Sequence, residues 1–460
     1  MNKIELLKTR REKLLGAGDE IRKKISELVD ENSFVELDAY SFSANDFYDE
    51  GAEGEGVVTG YATLCDTPVY VVAQNAKVFN GGISYGNCRK IKNCLDKAYQ
   101  TGYPVIYLFD SLGVRVGEGV NALEGMADVI SAAHELKGSA PQFSVVLGKL
   151  YGTFALLAAN ADFNFTLKDS LLCYASPFVL SAASGKNLKA EEVAGQSAYA
   201  KNGLSTVAVE DLGEVKEKIS EILGILPAYS GAIDDTSDDL NRTAENLNEK
   251  VCPKCVINAV FDDGKFIEMN GTFCADVKTG IGRIGGISAA ALIFGGDENG
   301  VALDAENVIK IKKFAEFAAE NSLPLVTFVN TVGIKQDLSV GNSPVLHEIC
   351  SLVGALKACD RLSVVYGKAI GLGYTLFAAK SSGVEYSYAF ATAKIGLFDG
   401  KVSAVQFGEI SEDKLDALAE RYSDENADPV NAAKNGFIDN IIEPQFVRAY
   451  VVSALQMIVR

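Results

Sequence analysis

Two stretches of the chain share one pattern of apolar and polar positions. Phe143-Ser-Val-Val-Leu147 runs into Gly148-Lys-Leu-Tyr-Gly-Thr153, and Leu362-Ser-Val-Val-Tyr366 runs into Gly367-Lys-Ala-Ile-Gly-Leu372. Each pairs a short β-rich apolar run with a Gly-Lys-x-x-Gly sequence, and an Ala-rich segment of helical character follows. A strand that ends in a glycine turn and opens a helix leaves backbone N–H groups pointing out of the turn. Such donors can hold a developing oxyanion. The pattern predicts two such turns, one in each half of the chain.

The remaining periodicities surround these turns with alternating strands and helices. Ile4, Leu7, Leu14, Ile21, Ile25 and Leu28 give residues 2–30 the spacing of one charged amphipathic helix. Residues 38–55 are acidic and rich in Gly and Ser, which reads as a mobile loop. Strands are expected near 56–63 and 68–75, joined by the turn composition Cys65-Asp-Thr-Pro68. A helix near 87–101 puts Ile91, Leu95 and Ala98 on its inner face and turns Lys90 and Lys92 outward. Pro104-Val-Ile-Tyr-Leu-Phe109 reads as a strand buried on both faces. A helix near 120–137 and a strand near 163–174 complete an α/β layered unit. A polar, helical tail is expected over 411–460.

The pattern is used twice. Val57-Val-Thr-Gly60 returns as Val277-Lys-Thr-Gly280, Arg89-Lys-Ile-Lys92 as Ile309-Lys-Ile-Lys312, and Asp110-Ser-Leu-Gly113 as Asn330-Thr-Val-Gly333, each at an offset of 220 residues. A colinear series of this kind indicates tandem duplication of a large unit, and the period far exceeds that of a solenoid. Residues 226–250 are acidic and poor in apolar residues, the composition of a linker. The expected domains are 1–235 and 236–460.

Composition narrows the chemistry. The net charge of −18 argues against nucleic acid as a partner. The N-terminus lacks an apolar signal core, and no apolar run reaches the length of a membrane span, so a cytoplasmic protein is expected. The nine cysteines follow no framework spacing and read as free thiols. Cys252-Pro-Lys-Cys255 offers only two of the four ligands of a structural zinc site, so no metal is expected. With two histidines, His134 and His347, neither beside a nucleophile, main-chain chemistry is favoured over a histidine mechanism.

Several segments resemble one family. Asp110-Ser111, Gly113, Arg115 and Glu118-Gly119-Val120 match its Asp-Ser-Gly-Gly-Ala-Arg-x-x-Glu-Gly-Val motif, and Lys368-Ala369, Gly371 and Tyr374 match its Lys-Ala-Tyr-Gly-Gly-Ala-Tyr motif. The run Asp428-Pro429, Ala432-Ala433, Gly436, Ile438-Asp439, Ile441-Ile442, Pro444 and Arg448 is similar to its closing segment. On these residues, over roughly 28–456, the chain resembles the biotin-dependent acyl-CoA carboxyltransferases of the crotonase-like superfamily, the subunits of propionyl-, methylmalonyl- and glutaconyl-CoA carboxylases and decarboxylases.

The resemblance implies an α/β fold made by tandem duplication of a ClpP/crotonase-like ββα spiral. It implies a coenzyme A thioester as substrate and biotin on a separate carrier protein, the biotin carboxyl carrier protein, with biotin carboxylase or membrane decarboxylase subunits as further partners. It also implies a homo-oligomer, a hexamer by family precedent, in which the N-half of one subunit faces the C-half of another. Backbone N–H groups at Gly152, Thr153, Gly371 and Leu372 would hold the oxyanions. Gly113, Arg115, Glu118, Tyr374, Thr375 and Lys90 would line the substrate, with Thr375 facing the acyl pocket.

The family's second turn glycine is replaced by Thr153 in one half and Leu372 in the other. If either position needs a positive φ, the replacement costs on the order of 1–3 kcal/mol. Two other readings therefore stand at this point: a non-catalytic scaffold homologue, and another crotonase-like acyl-CoA enzyme.

Overall fold

The computed structural model describes residues 2–17, 19–41, 53–249, 251–336, 338, 343–398 and 412–459. Two compact units are formed, Met1–Ile222 and Leu223–Arg460. The expected boundary at 235/236 falls inside the second.

In the first unit the strands are β1 (Val35–Leu37), β2 (Val57–Leu64), β3 (Thr67–Gln74), β4 (Val105–Ser111), β5 (Gln142–Tyr151), β6 (Phe163–Leu167), β7 (Leu171–Cys173) and β8 (Val207–Val209). They form one sheet in the order β1-β2-β3-β4-β5-β6-β8, with β7 also on β5. Antiparallel β2 and β3 turn at Cys65 and Asp66, both at positive φ (48° and 65°). The Asp30 carboxylate accepts both of their N–H groups, each at 3.0 Å. From β3 onward the strands are parallel, and the helices Tyr85–Thr101 and Val120–Glu135 cover the sheet. Val72, Ile91, Leu95, Tyr107, Phe109, Met126 and Val129 form the core between them.

The second unit repeats this plan. Its strands are β9 (Ile267–Met269), β10 (Val277–Ile284), β11 (Ile287–Phe294), β12 (Val301–Leu303), β13 (Leu325–Ile334), β14 (Arg361–Ile370), β15 (Tyr386–Phe390), β16 (Lys394–Gly396) and β17 (Asn440–Ile442). The sheet order is β17-β15-β14-β13-β11-β10-β9, with β12 on β13 and β16 on β14.

Several expectations are corrected. Within residues 2–30, Lys3–Ala17 and Asp19–Leu28 are helical, and of the expected stripe Leu14, Ile21, Ile25 and Leu28 are buried while Ile4 and Leu7 are exposed. The 226–250 stretch is not a free linker. Ala244 and Leu247 are buried in the second core, and the Ala244 N–H bonds the Gln445 carbonyl at 3.0 Å. The tail is not wholly helical either. Asn440–Ile442 joins the sheet as β17, beside β15.

The fully buried Arg448 of the tail donates to the Asp239 carbonyl and pairs with Asp262 at 2.7 Å and Asp238 at 3.4 Å. These contacts anchor the helix Val447–Ile458. Residues 42–52 of the expected mobile loop, and residues 411 and 460 of the tail, lie outside the described residues.

Candidate functional site

The Gly-Lys pairs do not end their strands. They are bulges inside β5 and β14. Phe109 pairs with Val146 and Ser111 with Leu150, so β5 carries two more residues than β4 across this step. Val329–Val365 and Thr331–Ala369 repeat the step between β13 and β14. In each half, the residue between the paired positions of the shorter strand holds the detour in place. Asp110 Oδ1 accepts the Lys149 N–H at 3.1 Å, and Asn330 Oδ1 accepts the Lys368 N–H at 2.9 Å.

The glycines permit this approach. A Cβ on Gly148 would lie 2.7 Å from Asp110 Oδ1, and one on Gly367 would lie 2.3 Å from Asn330 Oδ1. Asn330 also donates to the Gly295 and Asp297 carbonyls at 2.9 and 3.1 Å.

The turns begin at Gly152 and Gly371, with φ of 80° and 53°. Only glycine takes such angles without strain. Thr153 and Leu372 are not among the positive-φ residues. Their substitution for glycine therefore leaves the backbone unstrained, and the ground for a scaffold-only reading disappears.

The expected donors need correction at the glycines themselves. The Gly152 N–H is bonded to the Tyr174 carbonyl and the Gly371 N–H to the Gly396 carbonyl, each at 2.9 Å. These bonds extend the β5–β7 and β14–β16 ladders by one rung. Among the described residues, the N–H groups of Thr153 and Phe154, and of Leu372 and Gly373, have no protein acceptor. They begin the helices Ala155–Asn160 and Leu372–Phe377, where the first turn has no internal acceptors.

A second glycine stands against each turn. The Cα of Gly113 (φ 110°) lies 3.8 Å from where a Gly152 Cβ would be. A Cβ on Gly333 (φ 83°) would lie 3.6 Å from both the Leu372 and Gly373 nitrogens. It would fill the space these donors face. Gly333 went unnamed as a site residue, although its offset of 220 from Gly113 marks it.

In the second unit this space opens into a cavity of about 450 Å³, lined by Gly333, Gly371, Leu372 and the apolar Val332, Ile334 and Phe398, among others. Tyr374 and Thr375 do not line it. The Tyr374 hydroxyl reaches toward the Phe437 carbonyl at 3.5 Å, and the Thr375 hydroxyl bonds back to the Gly371 carbonyl at 3.1 Å.

Arg115 and Glu118 are buried. The Arg115 guanidinium donates to the Glu55 carboxylate at 3.2 Å, the Glu55 carbonyl at 2.8 Å and the Gly82 carbonyl at 3.0 Å. Glu55, in a stretch of loop composition, is fully buried, and its carboxyl pKa is raised chiefly by that burial. Glu118 accepts the Tyr85 N–H at 3.3 Å, at the start of a helix. Both expected substrate residues are thus engaged in holding the loop before that helix.

Lys90 is the plainest reversal. It points inward, 1% exposed, and its ammonium donates to the Gly54 and Val57 carbonyls at 2.9 and 2.7 Å. Its counterpart Lys310 donates to the carbonyls of Asn270, Phe273, Cys274 and Val277. Burial pulls both amines down to about 8. Only Lys92 stays near solvent, paired with Asp96 at 2.7 Å. His134 and His347 are both exposed. Among the described residues, no group of three or more His, Cys, Asp or Glu side chains is arranged to hold a metal ion.

Comparison with known proteins places this geometry. Residues 18–460 match the family described as the carboxyl transferase domain. The chain is 30% identical to the propionyl-CoA carboxylase beta chain of Cereibacter sphaeroides, over 94% of this chain and 89% of that one. It is 29% identical to the methylmalonyl-CoA decarboxylase subunit alpha of Veillonella parvula, over 99% and 96%. The transcarboxylase 12S structure, described as a hexamer assembly with methylmalonyl-coenzyme A bound, superposes with a TM-score of 0.92 at 23% identity, covering 99% of this chain and 95% of that one. The chain belongs to the carboxyl transferase domain family, and its fold is that of the duplicated carboxyltransferases.

Proposed function

We propose that this chain is the carboxyltransferase subunit of a biotin-dependent acyl-CoA carboxylase or decarboxylase. It moves a carboxyl group between biotin on a separate carrier protein and a short acyl-CoA. The observation that carries the reading is the pair of glycine turns, each presenting two N–H groups without an acceptor among the described residues, in a chain of this family.

The site suits a carbonyl oxygen on a largely apolar body. Main-chain N–H groups meet the apolar Val332, Ile334, Leu397 and Phe398 at the cavity beside Leu372, with Lys335 and Gln336 also in its lining. A thioester carbonyl and the ureido carbonyl of biotin are both of that kind. Biotin, when bound, supplies the carboxyl group. The chain's own work is to position the acyl-CoA and to hold negative charge as its thioester oxygen becomes an enolate. Fixed amide dipoles do this without reorganising during the reaction. No histidine is asked to move the proton.

The partners that go with this function are a biotin carboxyl carrier protein, a biotin carboxylase or membrane decarboxylase subunit, and further copies of the chain, in the cytoplasm. The test is transcarboxylation between a carboxylated biotin carrier and a panel of short acyl-CoAs, including propionyl-CoA. Turnover of at least one is expected, and none on any of them overturns the function.

A further inference from the structure

Two of the nine cysteines are bonded to each other. Cys252 and Cys255 form a disulfide with a Cα–Cα distance of 5.0 Å, against the expectation of free thiols. The other seven are free, and of these Cys88, Cys94 and Cys359 are buried, with thiols pushed up to about 12, 12 and 11. Cys252 and Cys255 are each half-buried. They close the first turn of the eight-residue helix Pro253–Val260. Cys252 is the N-cap residue, Pro253 takes the first helical position, and the Cys255 N–H donates to Cys252 Sγ at 3.1 Å.

We propose that Cys252–Cys255 is a redox-active pair that exchanges thiols and disulfide with external dithiols. The physical ground is the charge at Cys252. A sulfur that already accepts a first-turn amide at the positive end of a helix is stabilised as the thiolate. Such a sulfur is a good leaving group when the disulfide opens. Two intervening residues, one of them the rigid Pro253, hold its partner ready to close the ring again.

The step balances as follows. A thiolate of the external dithiol attacks Cys255 Sγ, the Cys252–Cys255 bond breaks, and Cys252 departs as thiolate. The second thiol of the reductant, deprotonated, then displaces Cys255, which takes up a proton. Two electrons pass from the dithiol to the pair, and the dithiol closes as its own disulfide.

Pro253 Cγ lies 3.6 Å from the position of a Cβ on Gly295, whose carbonyl accepts from Asn330 at 2.9 Å. Asn330 in turn holds the Lys368 bulge that leads to Gly371.

The test equilibrates the full-length chain at pH 7 in mixtures of reduced and oxidised dithiothreitol, followed by alkylation and peptide mass analysis. The pair is expected to open and re-form reversibly with a single midpoint. After reduction, Cys252 is expected to alkylate at pH 6 about tenfold faster than the exposed Cys65. The fast reaction should survive Cys255→Ser, which keeps the amide, and vanish in Cys252→Ser. Failure of the pair to re-form at any ratio, or a Cys252 rate that follows the pH profile of Cys65, overturns the proposal. Neither readout depends on carboxyl transfer.

Discussion

The backbone N–H of Gly371 donates to the carbonyl of Gly396 at 2.9 Å, so the glycine that makes the turn lines the cavity while its own N–H is held in the sheet. Gly152 and Tyr174 repeat the relationship in the first unit. The donors that remain are those of Thr153, Phe154, Leu372 and Gly373.

This relationship separates two substitutions that the sequence alone treats as equivalent. Leu372→Pro removes a cavity-facing N–H at the first helical position, where proline is tolerated. Its carboxyl-transfer rate should fall about a hundredfold or more, with little change in melting temperature. Gly371→Pro places proline at φ 53°, which its ring cannot reach, and deletes a sheet bond. It should lower the melting temperature itself. Thermal melts beside turnover assays distinguish the two, and an unchanged rate in Leu372→Pro would remove this N–H from the mechanism.

The bulge clamp gives a second prediction. Gly367→Ala drives a methyl group to 2.3 Å from Asn330 Oδ1, so the strand or the Asn330 side chain has to move. A loss of about 1–3 kcal/mol is expected, as for an overpacked core. Asn330→Ala loses a bond to each of three backbone groups, and should lower activity as well by loosening the segment before Gly371. Denaturant melts and rates on the same preparations test both.

Lys310 holds four carbonyls. Lys310→Met keeps the apolar stem but leaves those oxygens buried without their donor. A loss of about 3 kcal/mol or more is expected. Lys90→Met, with two such bonds, should lose less. Equal effects in a denaturation series would mean that the carbonyls do not depend on the ammonium.

Asp238 sets a pH dependence. Hydrogen bonds from Arg242, both at 2.9 Å, outweigh desolvation and hold its carboxyl below the ordinary 3.8. A depressed carboxylate contributes stability that is present above the unfolded-state value and lost as pH falls through the folded one. The gap in stability between wild type and Asp238→Asn should therefore be full at pH 5 and above, and shrink as pH drops below 3.8. A gap constant down to pH 2 would exclude this role.

Much of the fold could be read before any coordinates. The offset of 220 residues pairs Lys90 with Lys310 and Asp110 with Asn330, and these pairs do equivalent work in the two units. What periodicity missed depends on contacts distant in sequence. Lys90 looks solvent-facing because helical spacing cannot reveal carbonyls 33 and 36 residues upstream. Glu55 looks like loop because its partner Arg115 lies 60 residues on. The Gly-Lys pair looks like a turn because a bulge is defined only by the strand beside it. The turn glycines were legible as special backbone, but which amide each leaves open follows from the bonds to Tyr174 and Gly396.

Because the left-handed residue comes first and Thr153 and Leu372 are not at positive φ, the position after each turn glycine takes a side chain without backbone strain. Threonine occupies it in one copy and leucine in the other. The side chain can therefore change at 153 and 372 while the N–H groups of the turn stay with the peptide backbone.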